Sequence, residues 1–112
     1  MNCRSFPAAY AAFDAHSSPL GLEYFDTSHD GQLKDSFLVA LHGSTKRRLN
    51  RGYRVVRLPG TGAESTQPED FITGFLDAGK VHGRPADIFG FGQNAFLLTD
   101  DNAGVVYYVY EK

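Results

Sequence analysis

Val105-Val106-Tyr107-Tyr108-Val109-Tyr110 is the stretch on which the reading of the fold turns. Every residue in it is β-branched or aromatic, the types that suit a pleated surface, and none is a turn former. Working back from it, Asp100 to Gly104 (DDNAG) is turn chemistry, and Ala95 to Thr99 (AFLLT) is a second apolar run. Gly92-Gln93-Asn94 makes another turn, preceded by Ala86 to Phe91 (ADIFGF). Three short runs joined so tightly read as an antiparallel meander.

The same texture continues upstream. Leu20 to Phe25 (LGLEYF), Ser36 to Leu41 (SFLVAL), Tyr53 to Leu58 (YRVVRL) and Asp70 to Phe75 (DFITGF) are four further runs. Between the first two lie Asp26-Thr27-Ser28-His29-Asp30-Gly31, nearly all turn formers. A basic stretch from Lys46 to Arg51 and a Gly/Ser/Thr/Pro loop from Pro59 to Pro68 separate the others. The expectation is an all-β chain of four strands followed by three. A free three-stranded sheet leaves its edge unpaired, unless residues 1–19 or another chain supply a fourth strand. Residues 1–19 form a distinct lead-in and residues 20–112 a single β region. Within the lead-in, Pro7 to Ala15 (PAAYAAFDA) places Tyr10 and Phe13 three apart, the spacing of one helical face. A short helix ending before Pro19 and an extended lead-in with docked aromatics both satisfy it.

Composition narrows the function. The chain has 112 residues, with 11 Lys and Arg against 13 Asp and Glu, a net charge of −2. That balance argues against a dedicated nucleic-acid binder, and the Lys46-Arg47-Arg48 run reads better as a solvated loop. One cysteine, Cys3, excludes an internal disulfide. No apolar run is long enough for a membrane-spanning helix, and no signal peptide is visible. The four histidines lack the spacing of a zinc site. His29-Asp30 and Asp100-Asp101-Asn102 offer oxygen-rich loops, but turn chemistry explains them equally well, so no metal site is expected. Gly90-Phe91-Gly92 and Pro59-Gly60-Thr61-Gly62 lack the strand-to-helix setting of a nucleotide cradle.

Several motifs also carry a family resemblance. They are His16-Ser17-Ser18-Pro19-Leu20-Gly21-Leu22-Glu23-Tyr24, Phe37-Leu38-Val39-Ala40-Leu41-His42-Gly43-Ser44 and Gly52-Tyr53-Arg54-Val55-Val56-Arg57. Glu69-Asp70-Phe71-Ile72-Thr73-Gly74-Phe75, Gly83-Arg84-Pro85 and Thr99-Asp100-Asp101 with Gly104-Val105-Val106-Tyr107 follow in order. Together they resemble the C-terminal part of the glucose/sorbosone dehydrogenases, soluble quinoproteins that carry pyrroloquinoline quinone (PQQ) on a six-bladed β-propeller. The resemblance implies a partial propeller, with one four-stranded blade and one incomplete three-stranded blade. It implies oxidation of an aldose or aldehyde sugar by the complete enzyme, and a periplasmic or secreted location.

It also nominates residues. Arg84 falls where relatives carry the first arginine of an Arg-x-Arg pair that holds the cofactor, although the second position here is Ala86. The other reading of Arg84 is a salt bridge, for instance with Asp87. His42 occupies a strand end that faces the quinone in relatives, or is a histidine bonded to a loop carbonyl. Ser18 belongs to a loop of the axial cavity, or is an ordinary turn hydroxyl. No catalytic residue is expected, because the family's base lies upstream of the matched region and His16, His29, His42 and His82 do not correspond to it. The resemblance therefore implies a chain that contributes cofactor-facing loops but is inactive alone. The alternative is a non-catalytic β-sheet module that self-associates, or binds a partner, through its open sheet edges.

Overall fold

The computed structural model describes residues 9–44, 51–60 and 66–111. The chain is all-β, with one 3-10 turn at Gly31–Leu33 as its helical element among the described residues. Strands β1 (Pro19–Phe25), β2 (Ser36–Leu41), β3 (Arg54–Pro59) and β4 (Glu69–Ile72) form a four-stranded antiparallel sheet in sequential order. A two-stranded hairpin follows, β5 (Leu76–Asp77) with β6 (Lys80–Val81). Strands β7 (Pro85–Gly90), β8 (Ala95–Asp100) and β9 (Val105–Tyr110) complete a three-stranded antiparallel sheet. The described residues form no closed barrel.

The two larger sheets meet face to face through alternate side chains, as period-two strands require. Phe25, Leu38, Ala40 and Val55 from the first sheet pack on Ile88, Phe96 and Leu98 from the second, and Leu33 of the 3-10 turn joins them. Phe25 meets Phe96 edge-on at 6.0 Å between ring centres. Close approach is possible because β1 crosses β7 at Gly21. A Cβ there would lie 2.6 Å from the Asp87 Cα and 2.7 Å from the Ala86 carbonyl oxygen, so only glycine fits. Polar contacts pin the same interface. The Gly90 N–H donates to Glu23 Oε2 at 2.7 Å, and the Asp30 N–H donates to Asn94 Oδ1 at 3.0 Å.

The opposite face of the first sheet builds a second core from Val39, Leu41, Val56 and Leu58. Tyr10, Ala11 and Phe13 of the lead-in pack against it, and the Tyr10 hydroxyl donates to the Pro59 carbonyl at 2.5 Å. Residues 9–18 hold no helix. So short a segment gains too little from helical propagation to offset nucleation, and the docked aromatics supply its order instead. The turn after β1 is held by Asp26, whose Oδ1 accepts from the Ser28 N–H at 2.9 Å and from the Ser28 hydroxyl. Those bonds hold the Asp26 carboxyl below its ordinary pKa.

The fourth strand is shorter than its sequence predicts. DFITGF reads as one run, yet β4 ends at Ile72. Gly74 sits at φ +101°, turning the chain so that Phe75 faces the second sheet and the β5–β6 hairpin begins. That hairpin was not anticipated. The basic run at residues 46–50 and most of the Gly/Ser/Thr loop, residues 61–65, lie outside the described residues.

Candidate functional site

Two regions carry unusual chemistry, and the first includes all three nominated residues, Ser18 through its backbone carbonyl. Beyond β2 the ladder with the lead-in continues. The His42 N–H donates to the Ser18 carbonyl at 2.9 Å, and the Gly43 N–H to the Ser17 carbonyl at 2.8 Å. Arg84, just before β7, reaches across the two sheets to this strand end. Its Nε donates to the His42 carbonyl at 3.2 Å and its Nη2 to the Gly43 carbonyl at 2.7 Å. The guanidinium carbon lies 5.6 Å from the centre of the Tyr53 ring, within cation–π range. Tyr53 is buried and donates its hydroxyl to the Ser44 carbonyl. Its ring lies so close to Gly43 that a Cβ there would sit 2.5 Å from it. Tyr53 and Ser18 both hold left-handed backbone, at φ +58° and +56°, a costly conformation for a bulky residue.

Asp100 anchors the other side. Buried at the end of β8, its Oδ1 accepts from the Arg84, Asn102 and Ala103 N–H groups at 2.9, 3.0 and 2.9 Å. The side chain is thereby the organiser of the β8–β9 turn. Asp101 follows on the surface, with Oδ2 3.3 Å from His42 Nε2. The expected Arg84–Asp87 salt bridge does not form. Arg84 is drawn to the His42 and Gly43 carbonyls just beyond β2, while Asp87 Oδ1 accepts the Ile88 N–H at 2.9 Å. Arg84 thus acts as a clamp between the sheets, its fork matched to two consecutive carbonyls. The arrangement holds a histidine beside a carboxylate.

The second region is the outer flank of β9. Its residues Val105, Val106, Tyr107, Tyr108 and Tyr110 are 41 to 62 % exposed, large for apolar side chains in a row. On the outer face of the sheet Phe91 packs edge-on against Tyr108, which lies 5.2 Å from Tyr110 between ring centres. Beneath the inner face opens a cleft of about 640 Å³, walled by Ile72, Phe75, His82, Leu98, Tyr107 and Val109. Sequence reasoning missed this cleft because its far wall comes from residues 72–82, of which Ile72 to Phe75 read as the end of a continuous strand. The apolar pair Ile72 and Phe75 flanking Gly74 was the available signal.

Comparison with known proteins bears on both regions. The profile of the TrAA12-like family matches residues 1–80. The chain belongs to the TrAA12-like family. The match takes in the lead-in, the whole first sheet and most of the hairpin, but not β7 to β9. A curated protein of Borreliella burgdorferi (strain ATCC 35210 / DSM 4680 / CIP 102532 / B31), described as uncharacterized, is 30% identical over 113 residues. That alignment takes in 97% of this TrAA12-like chain but only 30% of the length of the relative. No solved structure matches at a significant level. The family assignment corrects the resemblance drawn from the motifs, since neither match points to a glucose/sorbosone dehydrogenase. The support that this kinship lent to an oxidoreductase, and to PQQ, goes with it. Motifs such as Gly-Arg-Pro and Gly-Tyr-Arg-Val-Val-Arg are short strand-and-turn solutions, and their order along an all-β chain discriminates weakly between families.

Proposed function

We propose that this TrAA12-like chain is a non-catalytic β-sheet module whose role is association, and that it accepts a further strand along β9. One observation carries the reading: among the described residues, and of the outer strands in the two larger sheets, β9 alone has no proline, charge or register slip. β1 opens on Pro19 and its ladder slips between Pro19 and Gly21. β4 bears Glu69 and Asp70, paired with Arg57 and Arg54 at 3.2 Å, and its ladder also slips. β7 opens on Pro85 and slips between Pro85 and Asp87. β9 pairs with β8 in unbroken register over six positions and contains no proline, glycine or charge.

Strand addition uses such an edge twice: main-chain hydrogen bonds give affinity, and alternate side chains seek pockets. The cleft under β9 supplies those pockets. In this reading the two larger sheets are blade-like units, one of four strands and one of three, and the added strand brings the second to four. The test is a titration of the ¹⁵N-labelled chain with an extended Thr/Val hexapeptide flanked by lysines. The expected result is shifted, slower-exchanging amides at Val106, Tyr108 and Tyr110. A Val106→Lys, Tyr108→Lys variant should weaken the peptide by roughly tenfold, about 1.4 kcal/mol. Shifts confined to the Arg84–His42 region, or none at millimolar peptide, would overturn the reading.

A further inference from the structure

We propose that Asp30-Gly31 is a site of spontaneous covalent modification, where aspartate isomerises to isoaspartate and loosens the contact between the two larger sheets. The chemistry needs an aspartate whose Cγ can be reached by the next amide nitrogen, and a next residue with no side chain in the way. Asp30-Gly31 is the one Asp-Gly step in the chain. Both residues are exposed, in the turn between β1 and β2. The Asp30 carboxylate makes no capping bond to the 3-10 turn that follows it. Among the described residues no acceptor holds the Gly31 N–H. Gly31 stands at φ +59°, and without a Cβ it lets the intervening peptide rotate as a ring closes.

Other acidic and amide side chains in turns lack these conditions. Asp26 precedes the β-branched Thr27, and its Oδ1 already accepts from Ser28. Asp100 Oδ1 accepts from three N–H groups, and Asp101 follows it. Asn94 precedes Ala95, and its Oδ1 accepts from the Asp30 N–H.

The reaction needs only water. The Gly31 nitrogen bonds to Asp30 Cγ, the Cγ–OH bond breaks, and the hydroxyl leaves with the amide proton as water, closing a five-membered succinimide. A water molecule then adds to either ring carbonyl. Breaking the bond from nitrogen to Cγ restores aspartate; breaking the bond from nitrogen to the former main-chain carbonyl leaves the chain running through Cγ. The product has the mass of the starting chain and one more methylene in its backbone.

That extra atom falls between two fixed points. Upstream, the turn is tied to the β7–β8 turn. His29 Nδ1 donates to the Gln93 carbonyl, Gln93 Nε2 donates to the Ser28 carbonyl at 2.5 Å, and the Asp30 N–H donates to Asn94 Oδ1 at 3.0 Å. Downstream, Leu33 is buried in the core between the sheets, and its carbonyl accepts the Ser36 hydroxyl at 2.7 Å. Burial holds Leu33, so the added length is taken up on the exposed side and the bonds to Gln93 and Asn94 open.

The test is ageing of the folded chain in neutral buffer, followed by peptide mapping with electron-based fragmentation, which separates the two linkages. Isoaspartate is expected at residue 30 and not at Asp26 or Asp100, and the Asp30 amide should exchange faster in the aged fraction. Asp30→Asn should speed its appearance by at least about tenfold, because a neutral carboxamide is attacked more readily than a carboxylate. Asp30→Glu, which would have to close a six-membered ring, should abolish it. Isoaspartate at residue 30 in the urea-unfolded chain but not in the folded one would mean that the fold protects the step, and would overturn the proposal. So would an Asp30→Asn chain that ages no faster, or an aged chain whose Asp30 amide exchanges as slowly as before.

Discussion

Arg84 illustrates how a charged side chain near a surface becomes structural. Two of its donors go to consecutive carbonyls just beyond β2, and its guanidinium carbon lies 5.6 Å from the centre of the Tyr53 ring. A lysine could place its charge there but not the fork. Truncation leaves the His42 and Gly43 carbonyls without their donor and uncovers the Tyr53 ring. Arg84→Ala should therefore destabilise the chain by about 1–3 kcal/mol, read as a lower urea midpoint with an unchanged slope. Arg84→Lys should recover less than half of the loss. His42, Ser18 and Arg84 were nominated only through a resemblance that the family assignment overturns; the fold places them near one another through the His42 N–H to Ser18 carbonyl bond and the Arg84 Nε to His42 carbonyl bond. What Arg84 binds was not readable, because the two carbonyls reach it only once β2 and β7 are stacked. The left-handed backbone of Tyr53 was equally hidden: an aromatic at that position carries no signal of its φ.

At the scale of elements, the strands were visible wherever β-branched and aromatic residues run between turn formers, as in SFLVAL and VVYYVY. The grouping into four and three also follows from the short turns. Legibility fails where geometry decides over type. Gly74 ends β4 early, and the Leu76–Val81 hairpin has strands of two residues, too short for any pattern to register. The lead-in kept its aromatic spacing without the helix, since Tyr10 and Phe13 reach the second core from irregular backbone. The element most sensitive to a single atom is the β1–β7 crossing. Gly21→Ala would press a methyl group to 2.6 Å from the Asp87 Cα and 2.7 Å from the Ala86 carbonyl oxygen, against the β7 backbone. We expect it to cost about 1–3 kcal/mol, with the loss seen as faster amide exchange across both sheets. Gly79→Ala, where a Cβ meets nothing within 4 Å, gives the contrast: its φ of +77° leaves a backbone cost but no collision.

For the whole molecule, the measured quantity is the dependence of stability on the concentration of the added strand. A chain that takes the hexapeptide along β9 in its native state and not when unfolded must gain stability by mass action. Each tenfold rise in peptide above the dissociation constant should lift Tm by about 5–6 °C. The Val106→Lys, Tyr108→Lys variant should respond only at higher peptide concentration. A wild-type Tm that ignores the peptide would count against strand addition. The family and the long Borreliella relative set this in scale, since the chain spans only 30% of that protein. Family membership itself was misread from motifs, because strand-and-turn words recur across all-β proteins and carry little identity beyond their architecture.

The crossing at Gly21 also leaves an evolutionary signature. A lineage that keeps these two sheets in contact has no freedom at that site: a hydrogen is the only substituent that fits between the passing backbones. Homologues carrying any larger residue there must have shifted the crossing, separated the sheets or lost one of them. Reading that one column across distant descendants would therefore sort those that inherited the stacked pair from those that kept only its first half.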